Sequence, residues 1–152
     1  MKKIIFTAAL TAMSGPAVAE GIQISEASSR KSVLASPDQF TGTVIVESML
    51  AANEHNGHNT GHVSFAPGAR TAWHSHPRGQ LLIVTDGLGW VQEDGGEKRT
   101  VKAGDVVWFA PGVRHWHGAT DNTMMRHIAL TYMENGNNVA WSDQVTEEQY
   151  RD

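Results

Sequence analysis

The stretch PGARTAWHSHPRGQLLIVTDG, residues 67–87, decides how this chain folds. It sets His74 and His76 two residues apart, bends at Pro77-Arg78-Gly79, and resumes at Gln80 as an apolar run. In an extended segment residues i and i+2 face the same side, so His74 and His76 converge. Gln80 begins the next strand, which brings its amide oxygen within reach of the same point. Within Gln80–Thr85, Gln80, Leu82 and Val84 share one face, while Leu81 and Ile83 share the other.

The same grammar extends outward. Short β-rich runs alternate with Gly and Pro turns: Thr43–Leu50, Gly61–Ala66, Gln80–Thr85, Gly89–Glu93, Arg99–Lys102, Val106–Ala110, Arg114–Gly118 and Met124–Met133. Asp86-Gly87 is read as the turn between two of them, and Asp94-Gly95-Gly96 as the next. Strands this short and evenly spaced predict an all-β antiparallel sandwich or barrel. Only the ends read as helical, with a turn at Ser36-Pro37 and a Thr146–Gln149 capping box opening a short C-terminal helix. In Met124–Met133, His127, Ala129 and Thr131 share one face, and Ile128, Leu130 and Tyr132 the other. Apolar residues on both faces require a cover on the outer one. With few helices available, the expected cover is a second copy of the chain, a homodimer.

The N-terminus reads differently. Lys2 and Lys3, the apolar run Ile4–Met13 and the small-x-small site Ala17-Val18-Ala19 are the three parts of a secretory signal peptide. The expectation is a signal over residues 1–19, a single domain over 20–152 with its core at about 43–133, and a periplasmic or secreted protein. No later run is apolar enough to span a bilayer as a helix, so no membrane association is expected once the signal is removed. The net charge of −4 offers no basic patch for nucleic acid. The absence of Cys excludes disulfides, thiol catalysis and Cys-based metal sites. The unusual count is eight His in 152 residues.

His115 lies on a later strand and closes a ligand set with His74, His76 and Gln80. Imidazole and amide donors suit a divalent first-row metal. A lone histidine would be read as a hydrogen-bonded core residue; His-x-His with a distant third is read as a metal site.

Two segments now carry a family likeness. Gly68-x5-His74-x-His76-x3-Gln80-x6-Gly87 resembles the first cupin motif, with Gln80 where the family usually has Glu. Gly104-x5-Ala110-Pro111-Gly112-x2-His115 resembles the second, with Ala110 where Pro is usual and Ala119 where Asn is usual. The resemblance implies a double-stranded β-helix (jelly-roll) barrel, one cupin domain per chain, often dimeric, with His74, His76, Gln80 and His115 as ligands. The wording PGARTAWHSHPRGQLLIVTDGLGWVQ and GDVVWFAPGVRHWHGA is similar to bacterial manganese-dependent cupin hydroxynitrile lyases. It recurs in cupins of unassigned reaction too.

That likeness implies manganese first, with iron, nickel, cobalt or zinc compatible with the same donors, and a small-molecule substrate. Neutral ligands leave a dication at its full +2, a strong Lewis acid and anchor for an anion. His117 follows His115 on the same face, and His127 is its expected neighbour on the adjoining strand. Together they are the candidate catalytic acid and base; a fifth ligand or a supporting hydrogen bond is the alternative for His117, and a hydrogen-bonded structural role the alternative for His127. The leading reading is a lyase for a small cyanohydrin or related hydroxy compound. The alternatives are a cupin dioxygenase or isomerase on the same metal, and a non-catalytic periplasmic binding protein. Thr131 and Met125 share the His127 face and are read as shaping the pocket. His62 is a further candidate for that pocket, whereas His55 and His58 fall in a polar loop. Trp73, Trp108 and Trp116 are read as outward packing or dimer contacts, and Arg78 as an exposed turn residue.

Overall fold

The computed structural model describes residues 21–152; the signal expected over residues 1–19 lies outside the described residues. A 3₁₀ turn at Ala27–Ser29 precedes twelve strands: β1 Ser32–Leu34, β2 Phe40–Thr41, β3 Val44–Leu50, β4 His58–Phe65, β5 Arg70–Thr71, β6 His74–Ser75, β7 Gln80–Glu93, β8 Arg99–Lys102, β9 Val106–Phe109, β10 His115–Ala119, β11 Met125–Tyr132 and β12 Ala140–Trp141. The chain closes with α1, Glu147–Arg151. Every strand pairing is antiparallel. One sheet runs β1-β3-β4-β11, then the first half of β7, then β9. The other joins β2, β5, β10, the second half of β7 and β8, with β6 and β12 on the flank of β10. The two sheets curl over one interior, as the all-β barrel reading requires.

Strand β7 belongs to both sheets, which corrects one expectation. Asp86-Gly87 does not reverse the chain between two strands. Opposite Arg126 and His127 the register slips, leaving Thr85 as the extra residue of a bulge. Gly87 follows at φ +75°, with Met124 O so close that a Cβ would lie 1.8 Å from it. The strand bends there and exchanges its partners rather than turning back. Bulges increase twist locally and re-aim a strand, and the Gly-containing pair supplies one here.

Register also sorts the interior. Val44, Phe65 and Met125 form one rung across β3, β4 and β11. They are buried with Leu82, Val84, Val91 and Phe109 in the apolar core. Successive rungs along the same strands are Val46–Val63–His127, then Ser48–Gly61–Ala129, then Asn59–Thr131. The interior thus passes from hydrocarbon to polar side chains along one axis, and the polar end is the cavity. Alternation holds: β11 is buried at every other residue, Met125, His127, Ala129 and Thr131.

The outer faces are covered unequally. Trp73 and Trp116 do face away from the cavity, but the chain's own tail covers them, in a cluster with Val145 and Tyr150. Arg70, 3% exposed, fixes that tail by donating to Val145 O and pairing with Glu147. The expected capping box is present at Thr146 and Gln149. On the other sheet Ile83, Val106 and Trp108 stay exposed.

Gly118 marks the closest approach of β10 to β5. A Cβ there would lie 2.5 Å from Ala69 O and 2.6 Å from the Arg70 Cα, both backbone atoms that cannot swing away. Gly118→Ala is expected to destabilise the protein by about 1–3 kcal/mol, the usual cost of overpacking. Denaturant unfolding checks this, and an unchanged midpoint would contradict the packing described.

Candidate metal centre

Backbone pairing brings the histidines together. His74 on β6 is the direct partner of His115 on β10. Their ring centroids are 4.3 Å apart, and the His76 ring is 5.0 Å from His74. His76 follows β6 and enters a bend in which both Gly79 and Gly112 donate backbone N–H groups to its carbonyl. Gly79 has φ +81° and lies beneath Trp108, where a side chain would collide. That bend returns the chain to Gln80 beside His76.

Three of the imidazoles are held alike. His74 Nδ1 donates to Ala72 O at 2.9 Å and His115 Nδ1 to Val113 O at 2.9 Å; His76 Nδ1 donates to Asn138 O. A carbonyl only accepts, so each Nδ1 carries the proton and each Nε2 keeps a lone pair. Histidine ligands of metals are oriented in this way, by donating the other ring N–H to a carbonyl or carboxylate. His76 Nε2 is buried without a partner. Gln80 Oε1 lies 3.4 Å from His115 Nε2. Two lone-pair atoms facing each other in a buried site repel unless a cation lies between them. The donor set therefore fits a divalent ion on His74, His76, Gln80 and His115.

His117 and His127 behave differently. Their rings are edge-to-face at 5.0 Å, almost fully buried, and neither nitrogen of either ring has a partner. His74, His115 and His117 each offer a nitrogen within 4.8 Å of the others, a group that could hold a metal ion, so His117 also stands at ligand distance. It has no carbonyl to fix its tautomer. Only its backbone N–H is tied, to Thr71 Oγ1 at 3.2 Å.

These groups line a cavity of about 400 Å³. Phe40, Val46, Val63, Ala129, Val139 and Trp141 make its apolar wall, and no Asp or Glu is among the described residues lining it. Burial holds the imidazoles neutral. It lowers His115 to about 4 and His127 to about 3, and takes His74 and His117 well below 6.5, with neighbouring imidazoles adding to the effect. His76 is lowered too, chiefly by burial.

Other candidates lie elsewhere. His62 turns away from the cavity toward the Glu47 carboxylate at 3.4 Å, while Val63 lines the interior. Met125 is in the apolar core, not on the cavity wall. His55 is exposed, His58 packs against Tyr132, and Arg78 is exposed. The sequence reading missed Asn138 and Trp141. Asn135 at φ +50° and Gly136 at φ +82° make a tight reversal that folds this segment over the site. Trp141 then packs on His74 at 4.8 Å. The Asn135-Gly136 pair, a strong turn signal, was the available clue.

The neutral imidazoles set a pH dependence. Their folded pKa values lie below the ordinary 6.5, so the unfolded chain takes up protons first. Stability of the metal-free protein is expected to be full above about pH 6.5 and to fall as pH drops toward 4 and then 3. Thermal unfolding across that range checks it, and a flat profile between pH 6.5 and 4 would contradict it.

Comparison with known proteins agrees with this geometry. The cupin domain family matches residues 61–131. The chain is 46% identical over 130 residues to an (R)-mandelonitrile lyase of Granulicella tundricola, covering 86% of this chain and 99% of that protein. A cupin-like protein from Thermotoga maritima, solved by crystallography, superposes with TM-score 0.75 at 44% identity, over 78% of this chain and 90% of its own. A predicted oxalate decarboxylase from the same organism shares the fold, with TM-score 0.66 at 22% identity, over 74% of this chain and 100% of its own. With both motifs, the barrel and these relatives in agreement, the chain belongs to the cupin family.

Proposed function

We propose that this cupin is a metal-dependent lyase that cleaves or forms a small cyanohydrin or a related hydroxy compound. The observation that carries the reading is the His117–His127 pair, buried and unpartnered beside three histidines whose Nδ1 atoms are tied to carbonyls. The 46% identity to a protein named (R)-mandelonitrile lyase supports it. A divalent ion on His74, His76, Gln80 and His115 would supply Lewis acidity toward a substrate hydroxyl or carbonyl oxygen. Manganese is the ion we assign first; the donors also suit iron, nickel, cobalt and zinc.

The chain's own residues do the rest. The apolar wall takes the hydrocarbon part of the substrate and excludes water. His117 accepts the hydroxyl proton as the carbon–cyanide bond breaks. The bonding pair leaves with cyanide, and the hydroxyl carbon becomes a carbonyl. His117 then returns that proton to cyanide, directly or by passing it through His127, so the products are an aldehyde or ketone and hydrogen cyanide. The forming anion offsets the burial that disfavours an imidazolium. Simple ligand capture needs no such pair.

The test is benzaldehyde release from racemic mandelonitrile by manganese-loaded protein at mildly acidic pH. Enantioselective, metal-dependent release is expected. His117→Ala is expected to keep the metal and lose about 10²–10⁴-fold in rate, the usual range for an acid–base group. No release from metal-loaded protein would overturn the lyase reading, and full activity in His117→Ala would remove that residue from the chemistry.

We also propose export and a dimer. The signal-like residues 1–19 support a periplasmic or secreted protein, and the exposed Ile83, Val106 and Trp108 support a second copy packed on that sheet. Mass analysis of a periplasmic fraction is expected to find a chain starting at Glu20, in particles of twice its mass. A chain retaining Met1, or a monomer, would contradict the first or the second claim.

A further inference from the structure

Gln80 poses a problem that its histidine neighbours do not. An amide has two unlike ends: the oxygen accepts, and the NH₂ only donates. The two ends are nearly equal in size, so packing alone does not select one. In the metal-free site the wrong end is the favoured one. His115 Nδ1 is committed to Val113 O, leaving a lone pair on Nε2. An NH₂ turned toward that lone pair would make a hydrogen bond; the oxygen facing it at 3.4 Å does not.

Thr131 meets the other end of the amide. It lies on β11 directly opposite Gln80 on β7 and is buried. Gln80 Nε2 donates to Thr131 Oγ1 at 3.2 Å, with Oε1 toward His115. Thr131 has 8% exposure and lines the cavity, as its face predicted, and its contact with Gln80 adds a second role. We propose that Thr131 is a positioning residue that accepts the Gln80 NH₂ while the oxygen end faces the metal, so that ligation leaves no buried donor unpaired. The inference rests on the metal reading above, but not on the lyase chemistry.

A carboxylate ligand would need no such partner, because its two oxygens are equivalent. This makes the role separable from a merely structural one. The test is the dissociation constant for manganese, with the visible absorption of the cobalt(II) form as a second readout. Thr131→Val keeps the strand-compatible shape and removes the hydroxyl. It is expected to weaken manganese binding about 10–100-fold, the usual loss when a ligand's supporting partner is removed, and to alter the cobalt spectrum. Thr131→Ser is expected to restore both. In a Gln80→Glu background, Thr131→Val is expected to cost little, since either oxygen can ligate.

Parental affinity and spectrum in Thr131→Val would overturn the proposal. So would an equal loss in the Gln80→Glu background, which would make Thr131 a packing residue only. Metal-free thermal unfolding of each variant confirms the fold. A parent protein that binds neither ion overturns the metal reading beneath the proposal, a distinguishable result.

Discussion

The carbonyl oxygens of Ala72, Val113 and Asn138 each take the Nδ1 proton of one histidine, and the site depends on those three bonds. Each bond fixes a tautomer and leaves a lone pair on Nε2. Two of the acceptors lie two residues before their own histidine and are set by local chain path. The third comes from the segment 134–141, folded back by the Asn135-Gly136 reversal. Release of that segment would free His76 from Asn138 and remove Trp141 from above His74. The segment 134–141 is therefore part of the candidate metal centre as well as a cover for the barrel.

The barrel contributes a gradient. Across β3, β4 and β11 the interior passes from Phe65 and Met125 to His127, Ala129 and Thr131. The apolar end holds the sheets together, and the polar end lines the cavity. Burial there keeps the imidazoles neutral, which is the form a cation needs. The same burial separates two classes of histidine. His74, His76 and His115 have one nitrogen committed to the backbone, whereas His117 and His127 have none. The proposed function gives ligation to the first class and proton exchange to the second, although His117 also stands at ligand distance from His74 and His115.

Much of this was legible in the sequence, because period-2 alternation and fixed motif spacing are local signals. The i, i+2 relation of His74 and His76 and the inward face of β11 followed from backbone geometry alone. Asp86-Gly87 misled, because a positive-φ glycine serves a bulge as well as a turn, and only strand pairing separates the two. Trp73 and Trp116 were rightly turned away from the cavity. Their cover was not legible, because it depends on Arg70 fixing a tail more than seventy residues away in sequence. Thr131 was placed on the right face, but its bond to Gln80 depends on cross-strand register, which one strand's pattern does not reveal. Asn138 and Trp141 lay beyond the last strand read from the sequence.

The central claim is that three tied histidines and one oriented amide hold a single divalent ion. Anomalous diffraction from crystals loaded with manganese tests it most directly. The account predicts one anomalous peak at bonding distance from Nε2 of His74, His76 and His115 and from Oε1 of Gln80. A peak ligated by His117 in place of His76, or no peak at these side chains, would contradict it.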